Sequence, residues 1–264
     1  MPEFRVATWN MDWWKHKASH EAAWRWLREA VRPEVALLQE TIPPGGLGHV
    51  IWKEDGIDES RPWSSAIASF GPPIREVRKW KGRANATEKD LMRTSRGSVV
   101  VAIVEVPPEA PIVVVSMYGL DDDGYATTTI HQEITDLNAL LDSDQGKRLI
   151  IGGDLNCSTQ FEPPYGRIHR NLFERFEVYG LVNLTWATRD QRPMLENCPC
   201  EEAPRCGHVQ THRHSLSAKP WQNDYLFASH GLAHRLTSCE VVDKGSPSPW
   251  EFSDHCPVVA TFDL

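Results

Sequence analysis

The sequence predicts an α+β fold in which two sheets pack together and are flanked by helices. Three observations carry this. Short apolar runs bounded by Gly, Pro and Asp recur along the chain, and strands outnumber helical patterns. Two of the runs, Val35–Leu38 and Leu149–Gly153, are continuously apolar, as suits strands covered on both faces. No repeat, low-complexity tract or linker divides the 264 residues, so residues 1–264 read as a single domain with one irregular insertion at about 194–215.

Each element follows in order. Arg5–Asn10 alternates and is β-branched, a strand that delivers Asn10 and Asp12 at its end. Ser19 is placed to cap a helix over about 20–31, with Ala22, Ala23, Trp26, Leu27 and Ala30 as its apolar face and Pro33 as its stop. Val35–Gln39 is a buried strand with Glu40 at its exit. Thr41–Arg61 reads as a loop. Ser64–Phe70 and Ile74–Trp80 are expected strands around Gly71-Pro72-Pro73. Lys81–Arg96 is polar and basic, either a loop or a short helix. Ser98–Val106 and Ile112–Tyr118 are strands separated by Pro107-Pro108, which cannot pair inside a ladder. Thr127–Leu141 has helical period. Leu149–Gly153 is a strand ending in Asp154-Leu155-Asn156. A helix over about 167–179 ends at Gly180, and Tyr225–Ala228 and Val258–Phe262 close the core.

No apolar run approaches the roughly 20 residues that span a bilayer, so no membrane partner is expected. Phe4–Trp9 reads as strand almost from the first residue, which leaves no room for a signal peptide, and a cytoplasmic protein is the expectation. The net charge of −8 argues against binding nucleic acid through bulk charge, so any phosphate-binding surface must be local. That charge is easier to accommodate if carboxylates surround a divalent cation.

The polar residues at the strand ends form a set: Asn10, Asp12, Glu40, Tyr118, Asp154, Asn156, Asp224, Asp254 and His255. Singly each is an ordinary turn former. Together they follow runs that must be buried side by side. Their hard oxygen donors select Mg²⁺ or Mn²⁺ over zinc. An aspartate can orient or deprotonate water, and a histidine held by an aspartate can face a developing phosphorane.

Thr8-Trp9-Asn10, Leu37-Leu38-Gln39-Glu40, Gly153-Asp154-Leu155-Asn156, Asn223-Asp224-Tyr225 and Ser253-Asp254-His255 occur in an order that resembles the endonuclease/exonuclease/phosphatase superfamily, over nearly the whole chain. The resemblance implies a four-layer α/β/β/α sandwich of mostly antiparallel sheets, with the site at the strand ends. It implies Glu40 as main metal ligand with Asn10, Asp12 and Asp254 near it. It implies Asp154 as the group that aligns the attacking water, Asn156 as a phosphate contact, and His255, paired with Asp224, as the imidazole facing phosphorus. Tyr118 stands where several family members carry histidine and the apurinic endonucleases carry tyrosine. With an unperturbed pKa of about 10, a tyrosine is a poor general acid near neutral pH.

Cys198-Pro199-Cys200, Cys206 and His208 make a compact Cys₃His set that suits structural zinc, although C-x-C is a less usual opening than C-x₂-C. A disulfide or inert thiols are the alternatives. Such a zinc knot could shape access or staple a long loop, and the second is favoured. Thr211–His214 is expected to be a strand presenting His212 or Arg213 to substrate. Arg93 and Arg96, with Lys79, Lys81, Arg83 and Lys89, form the most basic stretch and a candidate phosphate contact. Arg167, His169 and Arg170 are candidates for the opposite bank, and Trp13 and Trp14 for stacking on a base. The leading functional expectation is a metal-dependent nuclease with DNA or RNA as substrate. A phosphatase or phosphodiesterase for a small or lipid ester is the alternative, and a non-catalytic zinc-stabilised module the third.

Overall fold

The computed structural model describes residues 3–52, 61–81, 87–93, 97–121, 126–200, 202 and 205–264. Arg83 and Arg96 lie outside these residues. Among the described residues the strands are β1 (Glu3–Asn10), β2 (Val35–Thr41), β3 (Val50–Trp52), β4 (Ser64–Ser69), β5 (Ile74–Glu76), β6 (Lys79–Trp80), β7 (Lys89–Asp90), β8 (Val99–Val104), β9 (Ile112–Tyr118), β10 (Leu149–Asp154), β11 (Leu181–Asn183), β12 (Asp224–Ser229), β13 (Leu236–Val241) and β14 (Val258–Asp263). The principal helices are α1 (His20–Trp26), α2 (Ala126–Leu141) and α3 (Tyr165–Val178).

Two six-stranded sheets form, in the orders β13-β14-β1-β2-β4-β3 and β11-β12-β10-β9-β8-β5. Each is antiparallel except for one central pair, β1 with β2 and β9 with β10. The parallel pairs contain the two runs whose continuous hydrophobicity marked them as doubly covered, because a central strand has a packed layer on each face.

The buried residues divide by face. Val6, Leu37, Ile67, Val114, Ile150, Leu226 and Phe262 fill the space between the sheets. The alternate residues Ala7, Trp9, Ala36 and Leu38 meet Ala23, Trp24 and Leu27 of the α1 region on the outer face of the first sheet. Val113, Val115, Ile151 and Phe227 meet Ile130, Ile134, Leu137, Leu172 and Phe176 of α2 and α3 on the outer face of the second. This is the four-layer sandwich, and it follows from the period of 2 along each strand and of 3.6 along each helix. Gly152 sits where the sheets approach closely. A Cβ there would stand 2.6 Å from a methyl of Leu226 and 2.8 Å from one of Leu37.

Several elements depart from expectation. Ser19 does not cap α1, since its hydroxyl donates to the carbonyl of His16. The helix continues through wider turns over Leu27–Val31 and ends where Arg32 adopts φ 53°. The expected strand over 74–80 divides into β5, which pairs with β8, and β6, which pairs with β7. Lys89 and Asp90, taken as loop or helix, are that second partner. β3 lies inside the expected 41–61 loop, and β11 and β13 were not foreseen. All three are edge strands with incomplete burial, so their apolar signal is weak. Residues 211–214 form only bridges from His212 to Trp221 and His255. Among the described residues no helix is long and apolar enough to cross a membrane.

Candidate active site at the strand ends

The expected polar residues converge where β1, β2, β9 and β10 end and β12 begins, beside the turn before β14. Backbone geometry explains how. Asn10 closes β1, and its side-chain oxygen accepts the backbone N–H of Asp12, curling the chain so that Asp12 takes φ 42°. In β2 the register against β4 shifts between Leu38 and Thr41, a bulge in which Glu40 has φ 45°. An extra residue in a strand re-aims a side chain, and here it directs Glu40 to Asn10 and Tyr118. After β10, Asn156 has φ 49°, and its N–H donates to Asp154 Oδ1. Three of the non-glycine residues with left-handed backbone are therefore site residues, a conformation retained where surroundings over-determine it.

The hydrogen bonds form one network. Asn10 Nδ2 donates to Glu40 Oε1 at 3.0 Å and to Asp154 Oδ2 at 2.8 Å. The Tyr118 hydroxyl donates to the same Glu40 oxygen at 2.8 Å. Burial, then the charges of Glu40 and Asp154, hold the Tyr118 phenol well above its ordinary range, so it stays a donor. His255 Nδ1 meets Asp224 Oδ2 at 2.7 Å, and its Nε2 faces Asp154 Oδ2 at 3.8 Å and Asp254 Oδ1 at 3.7 Å. Burial alone would lower the imidazole, but Asp224, Asp154 and Asp254 outweigh it and raise His255 to about 10. Asp154 is pushed up to about 7, chiefly by burial, with Asp224 adding and His255, Asn10 and the Asn156 N–H opposing. Asp12 is likewise raised to about 7 by burial and by the charge of Asp254.

The residues expected to hold metal form two groups. Asn10 and Glu40 are joined directly. Asp12 and Asp254 are joined through Lys15, whose ammonium lies 3.3 Å from Asp12 Oδ2 and 2.7 Å from Asp254 Oδ2. Even so, among the described residues Asp12 Oδ1, Glu40 Oε2 and Asp224 Oδ1 are buried without hydrogen-bond partners, and Asp12 Oδ2 meets only ion-pair contacts, to Lys15 and to His16. Buried carboxylate oxygens are costly unless something satisfies them. Hard oxygen donors left open in this way fit a divalent cation such as Mg²⁺ or Mn²⁺.

Other expected residues fall differently. His212 belongs to the cluster: its ring stacks on His255 with centroids 4.4 Å apart, and Nε2 is 4.0 Å from Asp254. Burial, then the charge of His255, lowers it to about 4, so it is neutral where His255 is charged. Arg213 is exposed, places its guanidinium 3.9 Å from the Trp250 ring centroid, and donates its backbone N–H to the Asp254 carbonyl. Arg93 is anchored at α2, its N–H donating to Asp136. His169 is a core residue bonded to the backbone of Ser158, not a lining group, and Arg170 pairs with Glu202. Trp13 packs edge-on against His20, whereas Trp14 is exposed beside Lys15. Cys198, Cys200, Cys206 and His208 come together, with one donor atom from each mutually within 4.8 Å. Cys157, Cys239 and Cys256 are buried free cysteines.

Some contacts that hold the site gave little sign in the sequence, even where the residues belong to the motifs above. Ser253 ties the last turn to β1: its hydroxyl donates to the Asn10 carbonyl at 2.8 Å and accepts the His255 N–H at 3.0 Å. Trp9 Nε1 donates to the His255 carbonyl. The Thr211 hydroxyl accepts the N–H groups of Asn223 and Asp224. Lys15 is the other. Its spacing from Asp12 offers a weak signal, but its partner Asp254 lies at the far end of the chain.

No protein-family model and no curated protein sequence matches the chain. Solved structures do. The endonuclease domain of TRAS1, a telomere-specific non-LTR retrotransposon, is 19% identical at a TM-score of 0.63 and covers 99% of each chain. An AP endonuclease from Leishmania major is 17% identical at 0.64, covering 99% of this chain and 88% of its own. A 3′ phosphatase from Neisseria, bound to product DNA hairpin, is 16% identical at 0.63, covering 99% and 100%. Similarity over the full length at such identities establishes architecture, and the chain has the endonuclease/exonuclease/phosphatase fold.

Proposed function

We propose that the chain is a divalent-cation-dependent phosphoester hydrolase, with a nucleic acid phosphodiester as substrate. The observation that carries this is the imidazole of His255, fixed on Asp224 at 2.7 Å and set across from Asp154, within a carboxylate cluster that retains unsatisfied oxygens. Asp154, Asp224, Glu40, Asp12 and Asp254 outnumber the positive groups Lys15 and His255. A phosphodiester would be repelled from such a site without further positive charge. Glu40, Asn10, Asp12 and Asp254 would hold the cation, which supplies charge neutralisation at the phosphate and the leaving oxygen.

The chain's own residues account for the rest. Asp154, oriented by Asn10 and the Asn156 N–H and raised to about 7, can accept a proton from water near neutral pH. His255 is held as a cation by Asp224 and presents Nε2–H to a phosphoryl oxygen, where negative charge grows as water attacks in line. Tyr118 remains protonated and holds Glu40. Asn156 donates its side-chain amide to the Gly119 carbonyl, which sets it at the edge of the mouth as a phosphate contact. The neutral His212 backs His255 without adding a competing charge.

The nucleic-acid substrate is supported by the names of similar structures, which include endonucleases and a DNA 3′ phosphatase. A second reading, a phosphatase or phosphodiesterase for a smaller ester, is favoured by the −8 charge, which opposes binding a polyanion through bulk charge. The test is incubation with plasmid, single-stranded oligonucleotides, RNA and a panel of small phosphoesters, each with Mg²⁺ and with EDTA. Mg²⁺-dependent strand cleavage supports the first reading. Phosphate release from the small esters alone selects the second. Inertness toward every substrate sinks both.

A further inference from the structure

We propose that Cys198, Cys200, Cys206 and His208 bind a zinc ion that staples the loop after β10 to the segment leading into β12. The assignment does not rest on the hydrolase reading, because its ligands are distinct from the carboxylate cluster.

The geometry gathers more than a pair of cysteines. Cys206 Sγ lies 3.4 Å from Cys198 Sγ, so the two are unbonded thiols, and Cys200 and His208 add donor atoms to the same cluster. His208 Nδ1 lies 3.3 Å from Cys206 Sγ and 3.7 Å from Cys198 Sγ. Ligands about 2.0–2.3 Å from a tetrahedral zinc stand roughly 3.5–3.8 Å from one another. The donor atoms thus already surround a centre of the right size. Four soft donors, three of them ionisable to thiolates, choose zinc over the hard cations suited to the carboxylate cluster.

The surroundings supply what a zinc site needs. His208 presents Nδ1 to the sulfurs, while its Nε2 meets the Thr159 hydroxyl at 2.9 Å. A bond on one ring nitrogen fixes the tautomer that leaves the other free to ligate. Gln160 Nε2 donates to Cys198 Sγ at 3.2 Å, stabilising a thiolate. Gly207 allows the turn between two ligands to lie on Trp186, where any Cβ would come within 2.7 Å of the indole.

The same contacts show what the ion would join. Thr159 and Gln160 follow closely on Asp154 and Asn156. Gln160 also donates to the Pro220 carbonyl at 2.8 Å and accepts the Gln222 N–H at 2.7 Å. The knot therefore pins the loop that carries the water-aligning aspartate to the segment that carries Thr211, His212 and Asp224. The described residues between 188 and 222 contain little regular structure, and a metal would replace the backbone ladder that otherwise orders a chain.

The test uses the full-length chain purified without chelator. Elemental analysis is expected to find one zinc per chain that persists through EDTA dialysis sufficient to remove Mg²⁺. Replacement by Co²⁺ is expected to give intense visible bands of tetrahedral cobalt and a thiolate-to-cobalt charge-transfer band. C206S should abolish the charge-transfer signature or the metal, whereas C239S, at a buried cysteine outside the knot, should keep both. If C206S does not fold, the wild-type protein still decides the matter: a mercurial titrant should release the zinc in step with modification of three thiols. Hydrogen exchange over residues 157–160 and 205–222 should then accelerate at least tenfold. Absence of stoichiometric metal, a cobalt spectrum without thiolate character, or unchanged exchange after zinc release would overturn the proposal.

Discussion

The carboxylate mouth and the cysteine knot gather donor atoms by opposite means. The mouth collects Asn10 and Glu40 from adjacent strands of one sheet, Asp154 and Asp224 from adjacent strands of the other, and His255 from the turn before β14, so it is complete only with both sheets in place. The knot draws all its ligands from residues 198–208, within a stretch that forms almost no ladder. One is preorganised by the fold and uses hard oxygens, which suit a cation that exchanges and contacts substrate. The other is organised locally and uses soft sulfurs, which suit a cation that stays. Left-handed backbone at non-glycine residues occurs beside both, at Asp12, Glu40 and Asn156 around the strand ends and at Asn197 next to Cys198, a conformation kept where the surroundings over-determine it.

The contrast can be broken by mutation and by chelation. H255A should lower kcat/KM by about 10³-fold, since it removes a fixed positive donor at the phosphate. Y118F should cost about tenfold or less, because Glu40 keeps its bond from Asn10. Steady-state kinetics on whichever ester proves to be the substrate checks both, and equal losses would mean that tyrosine shares the acid role. EDTA should abolish hydrolysis within the mixing time and leave the melting temperature almost unchanged, with Mg²⁺ restoring activity. Slow loss of activity in parallel with unfolding would mean that one ion serves both regions.

Other variants address the protein framework behind the mouth. T211V leaves the backbone N–H groups of Asn223 and Asp224 without their acceptor and should destabilise by about 1–3 kcal/mol, read by denaturant unfolding. His20 is buried and lowered to about 4, chiefly by burial, against an ordinary value of 6.5. Its neutral form is favoured by folding, so the associated stability is present above pH 6.5 and is lost as pH falls toward 4. That loss is at most about 3 kcal/mol, and H20Q should flatten the slope of stability against pH in that window. Glu133 lies buried with one oxygen near Ser98 and the other unpartnered, and burial raises it well above 4.5. Its stabilising contribution is present below pH 4.5 and declines as pH rises. E133Q should therefore gain about 1 kcal/mol at neutral pH while leaving the carboxylate mouth and the cysteine cluster unaltered.

Legibility in the sequence followed the same division. The central strands were readable because double burial leaves continuous apolar runs, and α2 because Ile130, Ile134, Leu137 and Leu141 keep helical spacing. The edge strands β3, β11 and β13 were not, since a half-exposed strand has a composition close to that of a loop. The knot was readable in full from local spacing. The mouth was readable as a roster of strand-end groups, but not in its wiring. That Lys15 would bridge Asp12 and Asp254, or that His212 would stack on His255, depends on how the turn before β14 meets the chain after β1. Arg93 is a case the sequence left open: its backbone N–H is tied to Asp136 of α2, a bond that no local spacing announces.

The sequence by itself determined the alternation that sorts residues among four layers, the identity of the polar groups at the strand ends, and the soft-donor set of the knot. These depend on periods of 2 and 3.6 and on ligand chemistry, which are local properties. Only the tertiary structure decided the bulge that turns Glu40 inward, the stacking of His212 on His255, the open oxygens of Asp12, Glu40 and Asp224, and the raised proton affinity of Asp154. Those depend on which groups are buried together across long sequence separations. Burial and the summed field of neighbouring charges are properties of the assembled site, not of any residue within it.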